Sequence, residues 1–561
     1  MESHGLEKHS VKSCHVCQGA RFYYLFSVAE HRVVRCVDCG LLFFHPQPGD
    51  AELSRIYHDT YFLGSDTESG RETLGAIKHA TARLYLEEIQ RYRGGQPGRL
   101  LEVGCGDGDF LVEAEIQGWE VSGIEYSAAA SERAQGRLKN GMVWPGEMVP
   151  GRLPAEHFDL CVISDVIEHV RSPLALLAEL HRVLKPEGVL FIATPSTDSW
   201  SARLMRQRWM EFKPEHLTYF DRQTLQTALF RTGFRGIIVA PGWKILSFDY
   251  IRMHFVRFPV AGLTPALNFL SHVLPAESKS RHRRVVASGM IVMGHKVPLR
   301  ELPVLSVIVP AYNEAATFDR LMASLLRKEL PGLRLEIIVV ESNSDDGTRE
   351  LALRYRDRGV KVILEEQPRG KGHAVRRGLK EATGDYILIQ DADLEYDLED
   401  YDGLLEPLLA GRAAFVLGSR HGGHNVWKMR QFTGQRGLSL FINSGHWFFS
   451  TLINVLFFLR LRDPFTMFKV FRRDCLYALE FECDRFDFDI ELLIKLVRKG
   501  FYPMELPVNY RSRSFKEGKK VRLIEDPLTW LKAIVRFRFA KVDPMDVIVR
   551  NREQPDPDLA E

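Results

Sequence analysis

RLLEVGCGDGDF, residues 99–110, reads as a short apolar strand, a turn with glycine at alternate positions and the opening of a helix. Glycines at such a turn let backbone come close to a ligand, and the helix start adds exposed N–H groups. Outward from it follow EVSGIEYS (120–127), FDLCVISDV (158–166) and GVLFIATP (188–195). A second, unlike series begins at VLSVIVPAYNE (304–314) and continues through LEIIVVESNSDDGT (335–348), VKVILEE (360–366) and DYILIQDADLEYD (385–397). The runs are apolar throughout rather than alternating, as expected when helices cover both faces of a parallel sheet. The chain is therefore read as α/β, with two doubly wound domains that share no repeat.

Length agrees, since 561 residues is about three to four times an ordinary domain. The 45% hydrophobic and 26% charged composition excludes disorder, fibrous repeats and a polytopic membrane protein. Lys+Arg 75 against Asp+Glu 73 leaves +2, so no overall field calls for nucleic acid and any basic site is local. The N-terminus has no apolar signal segment. The longest apolar stretch, Trp447–Leu459, has thirteen residues, short of the ~20 that cross a bilayer. A cytoplasmic protein is expected, with peripheral membrane contact and no span.

The expected boundaries are a small metal segment at 10–50, the first domain at 51–297, a linker at 298–303, the second domain at 304–545 and a fraying polar tail at 546–561. SGMIVMGHKV (288–297) is read as a short strand closing the first domain.

Four of the eight cysteines crowd near the N-terminus, where Cys14 and Cys17, eighteen intervening residues, then Cys36 and Cys39 have two-knuckle spacing. Two thiolates from each turn complete a tetrahedron around a structural Zn²⁺, leaving no open position for catalysis. A zinc-ribbon-like clip suits a segment too small to bury a core.

In the first domain, Glu102 precedes the glycine turn and Glu125 ends the next strand. Both are placed to hold the amino-acid part and the ribose hydroxyls of a sulfonium ligand. EVGCGDG, GIEYS, FDLCVISDVIEHV, HRVLKPEGVLFIATP and PEHLTYF together resemble class I S-adenosylmethionine-dependent methyltransferases with an N-terminal zinc-binding segment, over about residues 10–297. That resemblance implies a Rossmann-like fold. It places Glu102, Gly104, Gly106 and Glu125 on S-adenosylmethionine, Asp165 at its methionine end and Glu147 near its adenine. Methyl transfer needs a base only when an acceptor oxygen or nitrogen must lose a proton. His169 and His216 are the candidates for that base, against the alternative of helix-end hydrogen bonds.

In the second domain, period-two spacing turns Pro310, Tyr312 and Glu314 toward one side of a strand end, and Glu341 and Asp346 mark an acidic turn after the next strand. Asp391, Asp393 and Glu395 emerge together after YILIQ, a set of hard oxygen ligands suited to Mg²⁺ or Mn²⁺ against a diphosphate. These features resemble the GT-A family-2 glycosyltransferases. RGKGHAVRRGL, GSRH, DPFTMFKVFRRD, FDFDIELLIKL and ELPVNYRSRSFKEGKKV narrow this to polyprenyl-phosphate sugar transferases similar to dolichol-phosphate mannose synthase. The resemblance implies that Pro310, Tyr312, Glu314, Val339, Glu341, Asp391, Ala392 and Asp393 contact a nucleotide sugar, and that Arg420, Arg513 and Lys519 handle phosphates. Glu341, Ser342-Asn343 and Glu395 replace residues usual in that family, which leaves sugar and nucleotide open.

A polyprenyl phosphate is already an anionic nucleophile and needs no general base, whereas a sugar hydroxyl does. Arg511, Arg513, Lys516, Lys519 and Lys520 form a cationic run able to clamp a phosphate. Asn443–Arg460 is apolar enough either to pack in the core or to lie at a bilayer interface. The expectation is a bifunctional transferase of glycan or glycolipid synthesis. The alternatives are sugar transfer to a hydroxyl of a surface polysaccharide, and one domain serving only to recruit the other.

Overall fold

The computed structural model describes residues 8–56, 68–257, 259–260, 262–420, 436–511, 525–541 and 543–553. The chain divides between Pro298 and Leu299 into two compact units, and the segment from Ile548 onward belongs with the first.

The first unit opens with an antiparallel meander of β1 (Phe22–Val28), β2 (His31–Cys36) and β3 (Leu42–Phe44). Its principal strands follow as β4 (Arg99–Val103), β5 (Glu120–Glu125), β6 (Met142–Pro145), β7 (Phe158–Ser164) and β8 (Leu184–Pro195). Then come β9 (Thr218–Tyr219), β10 (Phe234–Leu246) and β11 (Arg283–Lys296). The large sheet has the order β10-β11-β8-β7-β4-β5-β6. Strands β4 to β8 pair in parallel, while β11 runs antiparallel to both β8 and β10. The sheet is thus mixed rather than wholly parallel, and the closing strand spans 14 residues rather than the short stretch expected. Strand order reverses between β4 and β7, which opens a crevice at their carboxyl ends.

The meander does not stand alone. Strand β3 pairs with β9, Leu42 opposite Tyr219 and Phe43 opposite Thr218, so PEHLTYF completes the small sheet. Val33, Phe44, Ala202, Trp209 and Tyr219 form a shared core. Burying an aromatic or aliphatic side chain of this size contributes about 1.5–3 kcal/mol, and here that energy ties the expected metal segment to the larger domain.

The second unit contains β12 (Val304–Ala311), β13 (Arg334–Glu341), β14 (Lys361–Leu364), β15 (Tyr386–Ile389), β16 (Phe415–Ser419), β17 (Lys469–Arg472) and β18 (Met504–Pro507). Their order is β14-β13-β12-β15-β17-β16-β18. Strands β12 to β15 are parallel, and β17 is antiparallel to both β15 and β16. Because β17 runs the other way, it enters the sheet at the carboxyl edge of β15. The preceding DPFT segment is thereby brought to the edge that carries Asp391.

The apolar segment 443–460 packs in the core along one side and is exposed along the other. Within the helix Arg436–Phe457, Phe449, Ile453 and Phe457 lie in the core, while Trp447, Phe448 and Val455 are exposed, as is Phe458 just beyond it. Among the described residues no helix is long and apolar enough to cross a membrane. The expected tail is partly structured: a helix covers Pro544–Glu553 and buries Met545 and Ile548.

Candidate functional site

Cys14, Cys17, Cys36 and Cys39 converge, with all four sulfurs within 4.8 Å of one another. Cys14–Cys39 and Cys17–Cys36 stand at 3.5 Å. That is far beyond a disulfide bond of ~2.05 Å and close to the ~3.8 Å edge that ~2.3 Å Zn–S bonds imply. Hydrogen bonds from the Cys14 and Cys39 thiols hold Cys17 low, at about 2, whereas Cys39, crowded by Cys14, Cys17 and Cys36, is pushed far up. Four sulfurs that cannot all ionise unaided are matched to a dication, so the residues fit a tetrathiolate Zn²⁺.

In the first unit the crevice between β4 and β7 gathers most of the expected residues. Gly104 and Gly106 have φ of 76° and 52°, the left-handed region that favours glycine. A Cβ at Gly104 would stand 2.4 Å from Val166 Cγ2, but one at Gly106 would meet nothing within 4 Å. The turn is packed from behind at the first glycine and open at the second. Glu102 is 4% exposed and its Oε2 has no partner; burial, with Asp109 and Glu125 nearby, holds its carboxyl well above the usual range. An orphaned buried carboxylate oxygen beside an open glycine turn fits a cationic, hydrogen-bonding ligand.

Glu125 accepts the amides of Gly106 at 2.8 Å and Ser127 at 2.9 Å, which fixes it at the rim. Glu147 is exposed just after β6, the strand beside β5. Asp165, with φ 52°, pairs with Lys244 at 3.1 Å, and its charge raises the lysine's pKa.

His169 and His216 meet edge to face with ring centroids 4.7 Å apart. His169 Nδ1 is 3.0 Å from the Glu215 carbonyl. Burial lowers both imidazoles, His216 the further, and so keeps them neutral. Glu168 joins them: it is 2% exposed, accepts the Thr194 hydroxyl at 3.0 Å, and is pushed up to about 8 by burial and by Asp165. The Thr218 amide donates to the Glu168 carbonyl at 3.1 Å, so β9 holds the cluster to the small sheet. Glu168, Thr194 and Lys244 were absent from the expected site. Glu168 lay inside a quoted motif, but Lys244 had no signal, being brought in by the long β10.

In the second unit the strand-end loops interlock. Asn313 N reaches Ser344 Oγ at 2.9 Å, Asp345 N reaches Asn313 Oδ1 at 3.1 Å, and Ala315 N reaches Asp346 Oδ2 at 2.9 Å. Tyr312 is exposed at this edge and Pro310 half-buried, while Glu314 opens the helix Ala315–Arg327. Thr317 donates to the Ala392 carbonyl at 2.9 Å, linking that helix to the Asp391–Asp393 loop.

Several expected contacts are corrected. Glu341 is fully buried, and its carboxylate accepts Ser344 N at 2.7 Å, Asn343 N at 3.2 Å and Arg349 Nε at 2.5 Å. It shapes its own turn rather than meeting a ligand. Val339 pairs with Val309 and Val362 inside the sheet and has no exposure, so it supports the edge without reaching it. Arg420 is bound to Asp463 by its amide at 3.0 Å and its guanidinium at 2.8 and 2.7 Å. That pair spends the charge intended for a phosphate.

Asp391, Asp393 and Glu395 do not gather as a three-ligand group. Among the described residues only the four cysteines and Glu168–His169–His216 bring three or more ligand atoms within 4.8 Å. Lys371 binds Asp391, and Tyr510 donates to Glu395 at 2.8 Å. Asp391 and Asp393 suit the pattern in which Mg²⁺ or Mn²⁺ takes one or two carboxylates and completes its shell with substrate phosphates and water. Lys371 and the buried Lys469–Asp489 pair, at 3.4 Å, were missed as site residues although they lie in quoted motifs. Arg513 and Lys519, with Lys516 and Lys520, lie outside the described residues.

Comparison with known proteins follows the same division. Residues 77–238 match the model of a methyltransferase domain, and residues 306–479 match that of glycosyl transferase family 2. Glycosyltransferase AglD of Haloferax volcanii is 30% identical over 255 residues, 42% of this chain and 38% of its own. A dolichol-phosphate mannosyltransferase of Pyrococcus furiosus is 32% identical over 226 residues, 38% of this chain and 58% of its own. A dolichyl-phosphate beta-glucosyltransferase of Saccharomyces cerevisiae is 27% identical over 257 residues, 42% of this chain and 74% of its own. The chain thus spans well under two thirds of the first of these relatives. Among solved structures, glucosyl-3-phosphoglycerate synthase of Mycobacterium tuberculosis, in complex with Mn²⁺ and UDP-glucose, is 24% identical with a TM-score of 0.32, covering 43% of this chain and 81% of its own. A methyltransferase of Thermotoga maritima is 19% identical with a TM-score of 0.29, covering 41% of this chain and 95% of its own.

Proposed function

We propose that this chain, which joins a methyltransferase domain (77–238) to a family-2 glycosyltransferase domain (306–479), is a bifunctional transferase of glycan or glycolipid synthesis. The second unit transfers a sugar from a nucleotide donor to a polyprenyl phosphate. The first transfers a methyl group from S-adenosylmethionine to a sugar or a related intermediate.

The observation that carries the sugar-transfer reading is the arrangement around Asp391. Asp391 and Asp393 supply carboxylates at the carboxyl edge of β15 for a cation held against the donor diphosphate, and Lys371 stands on Asp391 ready to meet the same charge. Tyr312 and Glu314 border the base side of that edge. Arg513 and Lys519 are proposed to take the acceptor or leaving phosphate.

The lipid acceptor is supported by the activities for which the yeast and Pyrococcus relatives are named and by surface chemistry. Trp447, Phe448 and Val455 expose apolar surface along the helix Arg436–Phe457 and Phe458 does so just beyond it, while Leu528, Val535 and Phe539 do so along Glu525–Phe539. Arg460 and Arg462, in the loop after the first helix, and Lys532 and Arg536, in the second, are exposed. Apolar stripes flanked by basic residues suit peripheral contact with an anionic bilayer. Co-sedimentation with vesicles of anionic and neutral lipid tests this contact: binding to the anionic ones alone is expected, and no binding to either removes the support.

In the first unit, S-adenosylmethionine supplies an electrophilic methyl group on a sulfonium. Glu102, Gly104, Gly106 and Glu125 hold the cofactor's amino-acid and ribose parts, Asp165 borders its methionine end and Glu147 its adenine. His169 and His216, kept neutral by burial, stand where an acceptor's proton is handled. Calorimetry with S-adenosylmethionine tests the binding half. Saturable binding that Glu125→Ala abolishes is expected, and absence of binding by the intact chain would refute it.

A further inference from the structure

Adjacent Glu168 and His169 meet the distant His216 beyond the end of β7. The ligand atoms of Glu168, His169 and His216 lie within 4.8 Å of one another. Each side chain is anchored from behind: Glu168 Oε2 by Thr194 at 3.0 Å, His169 Nδ1 by the Glu215 carbonyl at 3.0 Å, and the His216 ring by the Glu211 carbonyl. Glu168 Oε1 and His216 Nδ1 are nevertheless buried without any partner, in residues 2% and 3% exposed.

An orphaned buried polar atom is disfavoured, and two in one cluster signal a missing common partner. The backbone carbonyls hold the ring protons, so the cluster presents imidazole lone pairs and a carboxylate oxygen. A cation satisfies all three, and carbonyl-anchored imidazoles are how proteins orient metal ligands.

We infer that Glu168, His169 and His216 form a divalent metal site. Two imidazoles and one carboxylate favour a first-row transition ion of the Mn²⁺ to Zn²⁺ series over Ca²⁺ or Mg²⁺. Three protein ligands leave coordination positions open, so the site takes an acceptor that offers oxygen ligands, such as neighbouring sugar hydroxyls or a hydroxyl beside a carbonyl. This rests on the methyltransferase reading of the first unit and changes one part of it: the two imidazoles become ligands, and the metal would lower the acceptor hydroxyl's pKa so that its proton passes to water while the oxygen takes the methyl group and the sulfonium leaves as a neutral thioether.

The test uses the full chain with Zn²⁺ first loaded at the cysteines, then titrated with Co²⁺ alone and followed by absorbance and metal analysis. Wild type is expected to bind one Co²⁺ with imidazole and carboxylate character that Glu168→Gln and His216→Asn each lose, while Asp391→Asn retains it. Thermal melting of both variants guards against misfolding. Equal Co²⁺ content and spectra in wild type and the two variants would overturn the inference. Calorimetry with S-adenosylmethionine on the same wild-type samples separates the outcomes: wild type that binds the cofactor but no Co²⁺ sinks the metal site alone. Bound Co²⁺ without cofactor binding sinks the methyltransferase reading and leaves the site.

Discussion

Asp463→Ala removes the partner of a buried guanidinium. Arg420 has a side chain 5% exposed against a wholly buried Asp463, and the pair is closed by contacts of 2.7, 2.8 and 3.0 Å. Burial opposes ionisation of Asp463, yet the Arg420 guanidinium keeps its carboxyl far below the usual range. Truncating one member strands a charge in low dielectric, at about 3–5 kcal/mol. At ~1.4 kcal/mol per factor of ten this is a shift of ~100- to ~3,000-fold in the opening equilibrium. Native-state hydrogen exchange resolves it by segment, with amides of β16 and β17 losing protection and the first unit acting as internal control. The double variant Arg420→Met/Asp463→Leu, which removes both charges, should recover most of the loss. The reasoning is refuted if Asp463→Ala changes protection by less than about 0.5 kcal/mol. It is equally refuted if Arg420→Met raises only the KM for nucleotide sugar and leaves stability alone, because Arg420 would then be a phosphate ligand.

Removing zinc should act well beyond the four thiols. Structural Zn²⁺ carries about 10–16 kcal/mol of folding free energy in small domains, so Cys36→Ser should lower the melting of the first unit, leave the second unchanged in calorimetry, and weaken methyl transfer through the β3–β9 pairing. The two glycine substitutions should separate: Gly104→Ala, 2.4 Å from Val166, lowers the first unit's stability by about 1–3 kcal/mol. Gly106→Ala, which meets open space, costs roughly 1–2 kcal/mol for its left-handed backbone but blocks S-adenosylmethionine binding in calorimetry. Lys499 is buried and its pKa is lowered by desolvation to about 8. A base with a depressed folded pKa destabilises while charged and is relieved as pH rises from about 8 to about 10.5. The stability of wild type relative to Lys499→Met should therefore climb by up to about 3 kcal/mol across that window in denaturant titrations.

Which parts were legible follows from what each residue class encodes locally. Continuous apolar runs such as Ile337–Val340 and Tyr386–Ile389 suit the inside of a parallel sheet, and glycine or acidic punctuation marks their carboxyl ends. The strand-end site residues Glu102, Glu125, Tyr312 and Asp391 were therefore visible from spacing. Pairings that depend on distant chain were not. Thr218–Tyr219 is too short to read as a strand until Leu42–Phe43 lies beside it. The reversed direction of β17 has no signature in its own sequence, yet it decides that Asp463 meets Arg420 and that Lys469 meets Asp489. Glu341 looked like a ligand because an acid at a strand end resembles one. Its role as the hub of its own turn depends on Arg349 reaching back to it. Glu168 and His169 are neighbours in the sequence, but that His216 joins them needed the fold.

The central claim is that the second unit builds a lipid-linked sugar. Intact protein is incubated with Mn²⁺, radiolabelled nucleotide sugars and vesicles carrying a polyprenyl phosphate, and the lipid fraction is then treated with mild acid. The account predicts label in the lipid, released by the acid as free sugar, and lost in the Asp391→Asn/Asp393→Asn variant. Label appearing only in a water-soluble glycan, or equally in that variant, would contradict it.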